Sequence, residues 1–374
     1  MTYAITGATG YVGASVLKRI LENTCVPVII IGRSASEDTA GRVSRGLAAA
    51  GHSVTAEDVN RLEFVKASYY KPHLDLSLRD YDRIADATDH VLHFAANLDF
   101  VGSTSELDRD NVQSAVQMCK FAQDADSRLT YCSSSYVSGQ RTGDIFEDEL
   151  IDGGFTNTYE RSKFLAEQYV RWWHARTHKP VDILRCGTVC DGKLPSDGSP
   201  THSIRGFCEF SQHFEGALTR KLNHAAVPRE LVLTGNPEAF IHPIFIDECA
   251  DIIERIIRQQ QDGLTAYHLT SGQQLTFGEM FSVLNEFRDI PIHLDPNKRE
   301  SDLSRHERLF VRMSRGFARY FARVDRTLDQ ENVRGIVGAA YEFKTVGRQE
   351  LMVAATPPTQ TPDAQIPQKI SVPQ

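Results

Sequence analysis

Tyr159 and Lys163 stand four residues apart, and the hydroxyl run Ser133-Ser134-Ser135 lies upstream of them. A spacing of four puts the phenol and the ammonium on one face of a helix. The pair suits chemistry at a carbonyl. When hydride adds to a ketone, aldehyde or thioester, charge builds on the oxygen, and a nearby acid must donate a proton or a strong hydrogen bond. A tyrosine ionises near pH ~10 and is a poor acid-base group at neutral pH. A lysine one turn away favours the phenolate, so Lys163 is expected to lower the pKa of Tyr159 and to reach a nicotinamide ribose. Ser134 is expected to hold the carbonyl oxygen from the other side. Tyr-x-x-x-Lys arises often by chance, so its weight depends on the elements that position it.

The first of these is Thr6-Gly7-Ala8-Thr9-Gly10-Tyr11-Val12-Gly13. It follows the apolar Tyr3-Ala4-Ile5, a strand, and precedes Ala14 to Leu21, which has helical spacing. Strand, glycine turn and helix make the context of a dinucleotide fingerprint. Gly7 can take angles a side chain forbids. Gly10 lets backbone amides approach a pyrophosphate at the helix N-terminus. Gly13 lets the helix pack close to the strand. Thr9, Tyr11 and Val12 complete the candidate cofactor turn.

The next strand, Val28-Ile29-Ile30-Ile31, is apolar throughout and ends at Gly32-Arg33-Ser34. An NAD enzyme carries an acid here for the ribose hydroxyl. Arg33 suits a 2′-phosphate instead, with Arg42 and Arg45 following on a helix, so the expected cofactor is NADPH. A third strand reads Leu62 to Lys66. The fourth, His90 to Phe94, runs into Ala95-Ala96-Asn97, small residues over which a cofactor can pass. His93 reads as a packed histidine, and a helix with Asn111 at its start follows. The fifth strand is Leu129 to Cys132. After an acidic loop, Tyr159 opens a helix running through Trp172 and Trp173. The sixth strand, Val181 to Arg185, ends at Cys186-Gly187-Thr188-Val189, where Cys186, Thr188 and Val189 are candidate cofactor contacts. This alternation predicts an α/β fold, a doubly wound parallel Rossmann sheet whose ligand lies at the carboxyl ends of the strands.

With 374 residues, 41% hydrophobic and 24% charged, the chain can bury a large core. A net charge of −8 argues against a nucleic-acid partner. The seven cysteines show no metal spacing, so no metal is expected. No apolar run reaches membrane-spanning length, and the start reads directly into a strand with no signal peptide. These features predict a cytoplasmic, reduced protein. Residues 1–190 read as the cofactor domain. Residues 191–352 read as a smaller, mostly helical substrate domain, with helices around Ser203–Phe214, Phe277–Phe287 and Glu307–Phe321. Residues 353–374 read as a disordered proline-rich tail, and Asp191 to Pro200 as a loop. Two late strands, Leu231 to Leu233 and Ala266 to Leu269, are expected to return to the main sheet. The arginine-rich stretch from Lys298 to Arg334 reads as a charged helix surface; the sharper reading is a docking face for an acidic carrier or coenzyme A phosphates.

Together these stretches resemble the extended short-chain dehydrogenase/reductases over residues 1 to about 285. The resemblance rests on the glycine turn, His93-Phe94-Ala95-Ala96, Asn111-Val112, Ser133 to Gly139, Tyr159-x-x-x-Lys163, and Ile241-His242-Pro243-Ile244-Phe245-Ile246-Asp247. It implies Ser134 as the catalytic hydroxyl, Tyr159 as the acid, Lys163 as its helper and Asn111 as the structural asparagine, a proton-relay or helix-kink position rather than a direct catalyst. Gly32-Arg33, His93 to Phe100, Tyr159 to Glu167 and the loop Gly192 to Gly198 look most like the thioester reductase branch. That branch comprises the terminal reductase domains of peptide synthetases and carboxylic acid reductases, and the fatty acyl-CoA reductases. The branch implies an NADPH-dependent reduction of an acyl thioester to the aldehyde or alcohol. The acyl group would arrive on coenzyme A or on a carrier protein in trans. There are departures. Lys66-Ala67-Ser68 stands where the family has Gly-Asp-Leu, whose acid holds the adenine, and Cys186-Gly187 replaces Pro-Gly. The alternatives are a nucleotide-sugar epimerase or dehydratase, a simple carbonyl reductase, and an NADP-sensing regulator. Oligomeric state is left open.

Overall fold

Seven parallel strands form the central sheet of the computed structural model, which describes residues 1–192, 203–221, 227–314, 316–322 and 326–356. They are β1 (Tyr3–Thr6), β2 (Val28–Gly32), β3 (Leu62–Lys66), β4 (His90–His93), β5 (Arg128–Ser134), β6 (Val181–Cys186) and β7 (Leu264–Leu269). Their order is β7-β6-β5-β4-β1-β2-β3. The order reverses between β1 and β4, which opens a crevice at their carboxyl ends. Every residue of β1, β2, β4 and β6 is buried, as expected for parallel strands covered on both faces. Alternate residues feed opposite cores. Tyr3 and Ile5 pack with the helices Tyr11–Asn23, Ser36–Ala49 and Ile246–Gln259. Ala4 packs with Leu78–Asp86, Ser114–Asp124 and Thr158–Thr177.

Asn111 does not start a helix. It lies within a π-helical turn, Asp108–Gln113, between the α-helical pieces Thr104–Leu107 and Ser114–Asp124. The widened turn carries one residue more than an α-turn. The Asn111 side chain accepts from the Asn97 backbone amide at 2.7 Å and donates to the Asn97 carbonyl at 3.0 Å and to Ser162 Oγ at 2.8 Å. It thereby ties the end of β4 to the helix that carries Tyr159.

A second core gathers Phe207, Phe214, Phe277, Phe281, Phe310 and Phe321. They come from the helices Ser203–Lys221, Phe277–Leu284 and Arg305–Met313 and from the segment after them. Of the two late strands, Ala266 to Leu269 belongs to β7. Leu231–Thr234 instead pairs with Ile292–Asp295, away from the main sheet. The reason is one-sided burial. Leu231 and Leu233 are buried while Val232 and Thr234 are only partly so, and such a strand suits the rim of the second core. In the arginine-rich stretch Arg299, Arg305, Arg308, Arg312, Arg319 and Arg334 are exposed. Arg326 departs from that pattern: it is buried, donating to Ser138 Oγ at 2.8 Å. Its strand, Arg326–Leu328, pairs with Gly143–Ile145. Val353 to Ala355, expected in a disordered tail, close the helix Arg348–Ala355 and pack on the second core through Ala354 and Ala355. The remainder of that tail from Pro357, and positions 193–200 of the expected loop, lie outside the described residues. Among the described residues no helix is long and apolar enough to cross a membrane, and no group of three or more His, Cys, Asp or Glu could hold a metal.

Candidate active site

One cleft of about 990 Å³ runs along the carboxyl ends of the strands and across to the second core. Its floor is backbone. Gly7 has φ +77°, and a Cβ there would lie 2.5 Å from the Ala95 amide nitrogen. A Cβ on Gly13 would lie 2.3 Å from the Gly7 carbonyl oxygen. The turn, the first helix and the end of β4 are therefore packed main chain against main chain. Gly7, Thr9, Gly10, Tyr11, Val12 and Gly13 line the cleft, facing Ala95, Ala96 and Asn97. The helix Tyr11–Asn23 starts at Gly10 with neither a side-chain cap nor an acidic residue in its first turn. Its amides thus present uncompensated partial positive charge, the requirement for a pyrophosphate. These residues fit a dinucleotide. Tyr11 donates its hydroxyl to Asp191 at 2.9 Å, and Asn97 donates to Asp110 at 3.0 Å.

At one end of this floor stand Arg33 and Arg42, both exposed, neither paired with a carboxylate among the described residues. Arg45 does not line the cleft. Tyr69 and Tyr70 join the arginines there. Tyr69 is fixed by donating to the Ile31 carbonyl at 2.9 Å, and the Arg109 guanidinium lies 5.2 Å from the Tyr70 ring centroid. Sequence reasoning missed these tyrosines. The signal was available: adjacent aromatics just beyond the carboxyl end of a parallel strand, where the family's acid is absent.

At the centre stand Ser134, Tyr159 and Lys163. Asn157 caps the helix Thr158–Thr177 by accepting from the Glu160 amide at 3.0 Å. This fixes Tyr159 in the first turn and Lys163 one turn on. The Lys163 ammonium donates to the Cys132 carbonyl at 2.6 Å and lies 4.7 Å from the Tyr131 ring centroid. Burial lowers its pKa. The expectation that Lys163 governs Tyr159 needs correction. Burial pushes the Tyr159 phenol well above its ordinary value, while a hydrogen bond with Ser134 works the other way. Desolvation outweighs charge here because Tyr159 is only 5% exposed. The phenol is therefore a proton-bearing donor at neutral pH. His93 sits beneath, its Nδ1 2.6 Å from Thr6 Oγ1, and burial drives its pKa down to about 3. It is a neutral packing group. Cys186 places its sulfur 3.9 Å from that of Cys132. Thr188 Oγ1 lies 3.1 Å from the Tyr136 hydroxyl. Both line the cleft with Val189.

The far end is walled by Phe100, Tyr136, Phe207, Phe210, Met313 and Phe317. Phe100 and Tyr136 lie in stretches that carry the family resemblance, but none of the six was given a role from sequence. They come from separate segments, and only the fold brings them together.

Residues 5–253 match the family model described as male sterility protein. Among curated relatives, fusarin C synthetase of Gibberella moniliformis is 27% identical over 201 residues, which are 51% of this chain and 5% of that protein. Peramine synthetase of Metarhizium majus is 30% identical over 214 residues, 54% of this chain and 7% of that protein. The match thus spans a small fraction of either synthetase. The terminal R domain from the myxalamid PKS-NRPS biosynthetic pathway superposes with a TM-score of 0.73 at 19% identity, covering 94% of this chain and 89% of that one. UDP-glucose 4-epimerase from Bifidobacterium longum, in complex with NAD+ and UDP, gives 0.64 at 16% identity, covering 95% and 97%. At such identities these two structures share the fold. The family match, the fold and the cleft agree: the chain belongs to the male sterility protein family, the thioester reductase branch of the extended short-chain dehydrogenase/reductases, and is an NAD(P)-dependent oxidoreductase.

Proposed function

We propose that this chain reduces an acyl thioester to an aldehyde with NADPH, the acyl group arriving on coenzyme A or on a carrier protein in trans. The observation that carries the reading is the convergence of Ser134, Tyr159 and Lys163 on the same cleft as the glycine turn. Arg33 and Arg42 support NADPH over NADH, because two unpaired guanidiniums suit a 2′-phosphate. In this reading residues 1–190 with β7 hold the cofactor, and 191–352, together with Phe100 and Tyr136, shape the acyl end. The seven cysteines, all free, suit a reducing compartment such as the cytoplasm.

When bound, the nicotinamide cofactor supplies the hydride. The chain's own part is to hold the oxygen. Ser134 and Tyr159 donate hydrogen bonds to the thioester carbonyl, and these strengthen as negative charge develops there. Tyr159 serves as donor because burial keeps it protonated. Lys163, held on the Cys132 carbonyl, would meet the cofactor's ribose. Collapse of the oxyanion expels the thiolate and leaves the aldehyde.

The test is loss of NADPH absorbance with acyl-CoA thioesters and with the matching free aldehydes, against Tyr159→Phe. Thioester turnover that vanishes in the variant is the expected result. Turnover of aldehydes alone would reduce the protein to a carbonyl reductase. Tight NADPH binding without any turnover, on coenzyme A or on a carrier, would favour a sensor.

A further inference from the structure

Beyond the Tyr159 phenol the cleft continues into an arm built from rings. The Phe100 centroid lies 5.2 Å from that of Tyr159 and 5.4 Å from that of Tyr320. Tyr320 lies 6.5 Å from Phe317, which stacks on Phe207 at 4.6 Å, and Phe207 lies 6.3 Å from Phe210. The series is continuous from the reacting centre outward. Phe100, Tyr136, Phe210 and Phe317 are each only half-buried although they line the cleft. Their free surface therefore faces a space a guest could fill. Met313, 48% exposed, marks where the arm meets solvent.

The arm is also poor in charge. Among the described lining residues on this side of Tyr159, the charged one is Asp99, and its Oδ1 already accepts the Val101 amide at 3.1 Å. The Ser314 hydroxyl is occupied too, donating to the Val311 carbonyl at 2.8 Å. A carboxylate carried on the acyl group would lose water and meet only the like charge of Asp99, and an ammonium would have Asp99 alone among the described lining residues to replace its water, a costly exchange in either case. An apolar ring would lose nothing polar, bury its area and add edge-to-face contacts with the walls. The family match ends at residue 253, so Met313 and Phe317 belong to a part of the cleft that the match does not describe.

We propose that the acyl group this enzyme accepts is uncharged and apolar and carries an aromatic ring, seated between Phe100 and Tyr136 on one side and Phe207, Phe210 and Phe317 on the other. This rests on the reading of the chain as an acyl thioester reductase.

Equilibrium binding of unreactive amide analogues of S-acyl pantetheine, followed by calorimetry, tests the pocket without requiring turnover. Four acyl groups suffice: phenylpropanoyl, hexanoyl, succinyl and β-alanyl. Phenylpropanoyl should bind at least ~30-fold tighter than succinyl and β-alanyl, and several-fold tighter than hexanoyl, as ring burial with aromatic contacts implies. Phe210→Asp should reverse the order of phenylpropanoyl and β-alanyl, and Phe317→Ala should remove the advantage of phenylpropanoyl over hexanoyl. NADPH binding in each variant reports that the protein is folded. Equal binding of all four groups, or preference for a charged one, would overturn the proposal and leave the reductase reading intact. Hexanoyl binding as tightly as phenylpropanoyl would overturn the ring. A clear ring preference in a protein that reduces no thioester would sink the reductase reading and keep the pocket.

Discussion

The two ends of the cleft are made in opposite ways. The cofactor end is a backbone construction. Gly7, Gly10 and Gly13 matter because they lack side chains, and Ala95 and Ala96 because theirs are small. The acyl end is a side-chain construction, with rings from the segment after β4, from the segment just after β5, from the helix Ser203–Lys221 and from the turn at Phe317. A site made of backbone tolerates few residue types at each position, so it leaves a motif of fixed spacing. A site made of apolar bulk needs only volume, which any distant segment can supply. The first is shared across a family; the second is free to differ between members.

The largest expected break in this comparison is at the junction of the two ends. Tyr159→Phe should cost about 10²–10⁴ in kcat while the dissociation constant of NADPH, measured by fluorescence titration, changes little. A comparable loss of cofactor affinity would move Tyr159 out of the proton-donor role. Next comes the double substitution Arg33→Ala with Arg42→Ala, which should weaken NADPH by about 2–3 kcal/mol and leave NADH unaffected. Equal weakening of both would remove the 2′-phosphate from the account.

Acid probes the frame under both ends. His93 and His242 have pKa values lowered by burial to about 3, and His268 to about 4. The unfolded chain takes up protons below pH ~6.5 while the native state does not. Stability from these groups is therefore present above that value and lost as pH falls. Urea unfolding should show a loss of about 2 kcal/mol per histidine at pH ~5, and His93→Gln should flatten the curve by one such share. A flat profile would show that these rings are wet in solution. The smallest effect is expected at Tyr70→Ala, which should weaken NADPH and NADH alike by about 1 kcal/mol if this ring stacks on the adenine; weakening of NADPH alone would assign the ring to the 2′-phosphate end instead.

The legibility of the chain follows the same division. Val28 to Ile31 is apolar at every position, so its burial on both faces could be read directly. Leu231 to Leu233 looks similar but alternates in burial, and a three-residue run does not reveal that. Asn111 was legible as a proton-relay or helix-kink position but not as part of a π-turn, because the extra residue is visible only once the helix on both sides is seen. The spacing of Tyr159 and Lys163 was legible, whereas the upward shift of the phenol was not. That shift depends on how completely the surrounding packing buries the phenol, a property of the fold rather than of neighbours in sequence.

The pairing of Gly143–Ile145 with Arg326–Leu328 has a bearing on engineering. The chain leaves the Rossmann sheet after β6, comes back as β7, departs again and then meets the segment between β5 and β6 in this small parallel pair, which is separate from the main sheet. The acyl end is thus stitched to a connection of the cofactor half as well as joined to it through β7. No single contiguous segment can be exchanged to give the enzyme another substrate. A transplant would have to carry the stretches on both sides of β7 together, and single side chains within the existing walls are the more tractable units of change.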